Sequence, residues 1–265
     1  MTEASDFLAR RVEAARPELL KAVRPLAASD IFGDAPEPAG TCVLLWYRGT
    51  RYLITAAHVV ELYPDRMYYI GTKTAWIGVP GPFRVNQPPA RGREYDAIDL
   101  AFRPLDADIA DQLDGCRFLL ASELATNDTL EFTPPRRSKY LALGYPLNRF
   151  KNDRRLRQTS QSNVAYTGTL VSQHLYRQAK LTLNHNIVTD FDHKKVIGPK
   201  GLQQAPALEG MSGGGMFRFT SVERPGDVSP LGLAAIIIER RKADRLLVGT
   251  RIDVVLAAIE MDGHT

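Results

Sequence analysis

Two rhythms of apolar and polar residues divide the chain. Through residue 28 the apolar positions recur at helical spacing: Phe7, Leu8 and Val12, then Leu19, Leu20 and Val23. Pro17 is placed to open a second helix and Pro25 to stop it. The pattern predicts two short helices over residues 5–28, packed on the outside of the main domain. Ala35-Pro36-Glu37-Pro38-Ala39-Gly40 interrupts any helix and reads as a linker. From Gly40 onward short strand-like runs take over. Residues 41–47 and 51–55, on either side of Arg48-Gly49-Thr50, predict a hairpin. Further runs at 67–70, 74–79, 100–102, 140–146, 231–238 and 245–249 are separated by glycine and proline turns, the pattern of antiparallel barrels or a sandwich. Residues 252–259 predict a closing amphipathic helix. No repeat and no second independent domain is visible in the pattern.

Composition narrows the class without naming it. The 265 residues are enough to bury a substantial core. A net charge of +4 marks a mildly basic surface suited to acidic partners, short of the charge density of a dedicated nucleic-acid binder. The N-terminus lacks a basic segment followed by an apolar core, and no apolar run reaches the length of a membrane span, so a cytoplasmic protein is expected. Cys42 and Cys116 are the only cysteines, too few for a multi-disulfide scaffold, and two reduced thiols are the simpler expectation.

The chemistry concentrates at Glu209-Gly210-Met211-Ser212-Gly213-Gly214-Gly215. A serine among glycines suits a tight turn that holds its hydroxyl exposed. Serine is a weak nucleophile alone, so Ser212 needs a general base and a group to orient that base. His58, in Thr55-Ala56-Ala57-His58, stands where an apolar strand ends, rigidly held yet able to face a cleft, and imidazole is suited to proton transfer near neutrality. Two aspartates compete as orienting acid in Asp96-Ala97-Ile98-Asp99-Leu100. Asp99 is favoured because it directly precedes the apolar Leu100-Ala101-Phe102, whereas Asp96 equally suits a solvated turn.

Thr-Ala-Ala-His, Asp-Leu-Ala-Phe and Gly-Met-Ser-Gly-Gly, in that order, resemble the three signature blocks of the trypsin-like (chymotrypsin-fold) serine peptidases, over roughly residues 40–259. Leu143-Gly144-Tyr145-Pro146 is similar to the strand and turn that open the second barrel in bacterial members. The resemblance implies a mainly β fold of two antiparallel six-stranded barrels with the active site between them. It also implies an N-terminal helical extension and linker over 1–39, a peptidase domain over 40–259 and a tail over 260–265. Ser212 would attack the scissile carbonyl, His58 would carry the proton and Asp99 would orient the imidazole. The N–H groups of Gly210 and Ser212 would form the oxyanion hole. The strand around Ala235, Ile236 and Ile237, with Pro206 and Glu209, would shape the substrate cleft. The resemblance implies a serine endopeptidase of bacterial intracellular type acting on protein or peptide substrates, in a class that includes regulated effectors such as those of defence. It needs no cofactor and no metal. A catalytically silent module that grips a peptide is the alternative, and esterase or acyl-transfer chemistry through the same residues is a third reading.

Some features depart from the pattern. Val59 stands where secreted animal members carry cysteine, and no activation site is evident that would release a new N-terminus to order the oxyanion hole. The hole is therefore either preformed or ordered by another event, such as a partner or movement of residues 1–39. Gln203-Gln204-Ala205-Pro206-Ala207-Leu208 offers no aspartate for a pocket selecting Lys or Arg, and a shallow apolar pocket is expected, unless Ile236, Ile237 and Ile238 face the barrel core. Arg149, Lys151, Arg154, Arg155, Arg157, Lys194, Lys195 and Lys200, with Arg136, Arg137 and Lys139, read first as solvated loops and second as a basic rim for acidic peptides or nucleic acid. The spacing of His174, His185 and His193 fits no familiar metal-ligand pattern.

Overall fold

The computed structural model describes residues 3–29, 36–133, 138–153, 158–191, 196–198, 201–203, 208–219, 231–241 and 243–263. Among these the N-terminal part departs from the pattern-based expectation. A single helix, α1 (Glu3–Ala22), replaces the two short ones and runs through Pro17. An interior proline costs a helix roughly 3 kcal/mol. Burial of Val12 and Leu19 against the core offsets that cost. The chain then passes directly into a strand, β1 (Val23–Ser29), whose Leu26, Ala27 and Ala28 have no exposure.

The first sheet contains β1, β2 (Glu37–Tyr47), β3 (Thr50–Ala56), β4 (Met67–Gly71), β5 (Trp76–Val79), β6 (Arg84–Val85) and β7 (Leu100–Pro104). Its order is β5-β4-β1-β2-β3-β7-β6 with antiparallel neighbours, seven strands where six were expected. β1 is an interior strand. Residues 23–29 thus belong to the barrel, and truncation at Gly40 would remove a central strand and cut into β2. The β2–β3 hairpin turns on Arg48 (φ 48°) and Gly49 (φ 82°), the two consecutive positive φ angles of a tight two-residue loop.

The second sheet contains β8 (Lys139–Gly144), β11 (Val164–Thr169), β12 (Asn186–Asp190), β15 (Gly215–Phe219), β16 (Gly232–Arg241) and β17 (Leu246–Arg251), in the order β11-β8-β15-β16-β17-β12. Two small hairpins stand apart from it, β9 (Phe150–Asp153) with β10 (Gln158–Gln161) and β13 (Val196–Gly198) with β14 (Gly201–Gln203). Leu170 bridges to Thr189, and the Val171 N–H donates to the Val188 carbonyl at 3.0 Å, so the end of β11 meets β12 and the sheet curls on itself. The chain ends in a helix over Ile252–Asp262 that buries Ile252, Val255, Leu256 and Ile259. One apolar cluster joins this helix and α1 to residues of both sheets, among them Val43 and Ile54 from the first and Leu143 and Phe217 from the second. The two curled sheets therefore share a continuous seam.

Both cysteines are free, Cys42 on β2 without any exposure and Cys116 partly covered. Burial raises both thiols above their ordinary range and leaves Cys42 without reactive thiolate. With an aromatic disulfide reagent, the native protein is expected to leave Cys42 unmodified and to react slowly at Cys116. In denaturant both react. Rapid modification of Cys42 in the native protein would contradict this packing.

Candidate active site

The position of His58 is set by the end of β3. There the strand gives way to a short helix, α2 (Ala57–Glu61), and the Ala57 N–H donates to the Asp99 carbonyl at 3.0 Å. The Asp99 carboxylate takes hold of the next residue twice. Oδ1 accepts the His58 backbone N–H at 2.9 Å, and Oδ2 lies 2.5 Å from His58 Nδ1. The acid side chain is only 7% exposed, while the imidazole is 43% exposed. A buried carboxylate thus fixes one ring nitrogen and leaves the far side of the ring open to solvent.

Asp99 adopts φ 40°, the left-handed region that aspartate tolerates better than most residues. Its loop is held at each neighbouring position. Asn86 Oδ1 accepts the Leu100 N–H at 2.7 Å, the Thr250 hydroxyl donates to the Ile98 carbonyl, and Asn186 Nδ2 donates to the Ala97 carbonyl at 2.6 Å. Thr250 and Asn186 come from the second sheet, so the loop that carries Asp99 is held by both barrels. Asp96 lies apart from His58. Its carboxylate accepts from Arg93 at 2.5 Å, from Asn86 Nδ2 at 2.8 Å and from the Ile98 N–H at 2.9 Å. Arg93 also pairs with Glu61 on α2, bracing the helix that carries His58 against the loop that carries Asp99.

Ser212 sits in the second of two consecutive turns that share Met211. The Met211 N–H donates to the Leu208 carbonyl and the Gly214 N–H to the Met211 carbonyl, each at 2.9 Å. The third residue of each turn is a glycine with positive φ, Gly210 at 95° and Gly213 at 86°. At Gly213 sterics require glycine independently, since an added Cβ would lie 1.9 Å from the Thr41 carbonyl oxygen. The Met211, Gly213 and Gly214 N–H groups all have acceptors. Those of Gly210 and Ser212 donate to no described residue. The Ser212 hydroxyl lies 3.5 Å from the Ile238 carbonyl, and among the described residues no hydrogen bond joins it to His58. Ile238 is the extra residue of a bulge in β16, between the pairs Ile237 with Gly249 and Glu239 with Val248.

The expected cleft residues fare differently. Glu209 is exposed, and Pro206 lies outside the described residues. Ala235, Ile236 and Ile237 are buried in the apolar clusters, because β16 is a central strand covered on both faces. Their side chains pack the core, and β16 becomes accessible only past the bulge, at Glu239, Arg240 and Arg241. Of the basic positions, Arg149 and Lys139 are exposed, whereas Arg136, Arg137, Arg154, Arg155, Arg157, Lys194, Lys195 and Lys200 lie outside the described residues. His174 and His185 are exposed and His193 lies outside the described residues. Sequence reasoning missed Arg93, Asn86, Asn186, Thr250 and Thr41. The one local hint is a polar side chain inside an apolar run, as at Thr250 and Thr41.

No protein-family model matches the chain, and no curated protein sequence matches it. Among solved structures it superposes on neuropsin, a serine protease expressed in the limbic system of mouse brain, with a TM-score of 0.53 and 14% identity, covering 90% of this chain and 93% of that one. The serine protease domain of the Sesbania mosaic virus polyprotein aligns at TM-score 0.48 and 10% identity, over 89% and 90% of the two chains. The MamO protease domain of Magnetospirillum magneticum aligns at 0.45 and 13%, over 91% and 97%. The chain has the two-barrel chymotrypsin fold of the trypsin-like serine peptidases.

The two positive-φ glycines Gly213 and Gly49 give a paired stability test. Gly49→Ala meets no atom within 4 Å and is expected to cost only backbone strain, about 1–2 kcal/mol. Gly213→Ala adds a direct clash and is expected to cost well beyond that in urea unfolding. Equal costs would contradict the close approach of Gly213 to β2.

Proposed function

We propose that the chain is a serine endopeptidase that hydrolyses peptide bonds in protein or peptide substrates through Ser212, His58 and Asp99. One observation carries the reading: a buried carboxylate grips Nδ1 and the backbone N–H of a histidine whose ring stays open to solvent. In the proposed reaction the Ser212 hydroxyl turns from the Ile238 carbonyl toward His58, and Oγ attacks the scissile carbonyl while Nε2 takes its proton. Asp99 holds Nδ1–H and stabilises the imidazolium. The substrate oxygen takes up negative charge opposite the Gly210 and Ser212 N–H groups, which have no acceptor among the described residues to compete with it. The imidazolium then returns its proton to the departing amine. A water activated by the same histidine cleaves the acyl-serine and restores the hydroxyl. Past the bulge, β16 offers backbone for pairing with an extended peptide.

A second reading, a peptide-binding module without catalysis, is favoured by the Ser212 hydroxyl resting on the Ile238 carbonyl and not on His58. Labelling with a fluorophosphonate separates the two. The intact chain is expected to label and Ser212→Ala is not; an intact chain that fails to label leaves only the binding module.

The two aspartates divide catalysis from stability. Asp99→Asn is expected to lower kcat by about 10⁴-fold, because the imidazole loses its tautomer and orientation. Asp96→Asn is expected to keep kcat within a few fold and to lose about 1–3 kcal/mol of stability through its weakened bonds to Arg93, Asn86 and Ile98. Peptide hydrolysis and urea unfolding of both variants check this, and the reverse division would refute the assignment of the acid.

A further inference from the structure

We infer that the oxyanion turn is held in working shape by the first barrel, with Thr41 as its positioning residue, so that no cleaved N-terminus and no partner is required to form the hole. The inference rests on the peptidase reading above and concerns how that site is switched on. A trans peptide group is planar, with its C=O and N–H pointing in opposite directions. Fixing an oxygen therefore aims the N–H of the following residue. The Glu209 carbonyl accepts the Leu147 N–H at 2.7 Å, which turns the Gly210 N–H to the opposite side. The Met211 carbonyl accepts the Gly214 N–H at 2.9 Å, which does the same for Ser212. The peptide between these two is held at both ends. Gly210 presents its carbonyl to the Thr41 hydroxyl at 2.8 Å, and the Met211 N–H reaches Leu208. The Ser212 carbonyl accepts the Thr41 N–H at 3.0 Å. Every carbonyl from Glu209 to Ser212 is thus engaged, and the Gly210 and Ser212 N–H groups, which have no acceptor among the described residues, are those that the proposed chemistry needs.

Thr41 is the point where these bonds converge. Its hydroxyl donates to Gly210 and accepts the Tyr145 N–H at 2.9 Å, and its carbonyl accepts the Thr55 hydroxyl at 2.8 Å. The residue has no exposure, so water cannot replace a lost partner. Its own bonds tie β2 to the nucleophile turn and to the end of β8 at once. Met211, between the two donors, is 1% exposed and packs beside Gly144 in the main core, an apolar anchor that needs no ion pair. This geometry resolves the absence of an activation site. The hole is built in the resting chain.

The test compares variants by kcat and KM, with active sites counted by fluorophosphonate titration. Thr41→Val removes the hydroxyl at nearly constant shape. It is expected to lower kcat per active site on the order of 10²-fold while KM changes less than about threefold, since the donors act on charge that develops only in the transition state. Thr41→Ser restores the hydroxyl and is expected to recover kcat to within about threefold. An unchanged kcat in Thr41→Val, or no recovery in Thr41→Ser, overturns the role of Thr41 and leaves the peptidase reading standing. An intact chain that neither hydrolyses peptides nor labels overturns the peptidase reading itself. A second measurement needs no variant and so does not depend on how the valine protein folds. When the intact full chain is mixed with the probe, labelling is expected to follow one exponential without a lag. Labelling that begins only after a lag or after cleavage near residue 22 overturns the preformed hole.

Discussion

The backbone of the nucleophile turn lies so close to β2 that no side chain fits between them. Gly213 approaches the Thr41 carbonyl so closely that an added Cβ would lie 1.9 Å from it. This contact joins the two barrels through main chain, where little can adjust. Side-chain packing in the shared apolar seam supplies cohesion, and the glycine contact supplies register. Elements as far apart as residues 41, 145, 212 and 237 are thereby locked in one arrangement.

The Asp99–His58 pair obeys the same logic. Both residues come from the first barrel, while Thr250 and Asn186 of the second hold the loop in which Asp99 sits. Arg93 completes the frame with two carboxylate partners on different elements, Glu61 and Asp96. A bidentate guanidinium in a mostly covered position is suited to this work, because its planar fork fixes direction as well as distance. The site is therefore rigid where orientation matters. It is open at the exposed side of the imidazole and along β16 past its bulge.

Much of this frame was legible in the sequence. The strand runs at 67–70, 100–102 and 231–238 and the closing helix stand where their apolar patterns put them, since each has the alternation or spacing that its surroundings reward. These runs left barrels and a sandwich open, and the resemblance of the three motif blocks pointed to the two-barrel fold. β1 was not legible. Its Leu26, Ala27 and Ala28 are small and follow a helical stretch, and only pairing with β2 and β4 makes them a strand. Pro17 misled in the same way, because tertiary burial overrode its local preference. The pairing of His58 with Asp99 and the glycine turn at Ser212 were signalled by their neighbours in sequence. Thr41 and Arg93 were not, because their roles exist only across separations such as the 169 residues between Thr41 and Gly210. The sequence favours a shallow pocket wall at the isoleucines of β16 over core, whereas their side chains are buried on a central strand.

The most direct measurement is a crystal structure of the chain after reaction with a fluorophosphonate. The geometry requires phosphorus bonded to Ser212 Oγ, its free oxygen within hydrogen-bond distance of the Gly210 and Ser212 N–H groups, and the His58–Asp99 contact intact. Phosphorus on another residue, or on Ser212 with its oxygen turned away from both N–H groups, would contradict it.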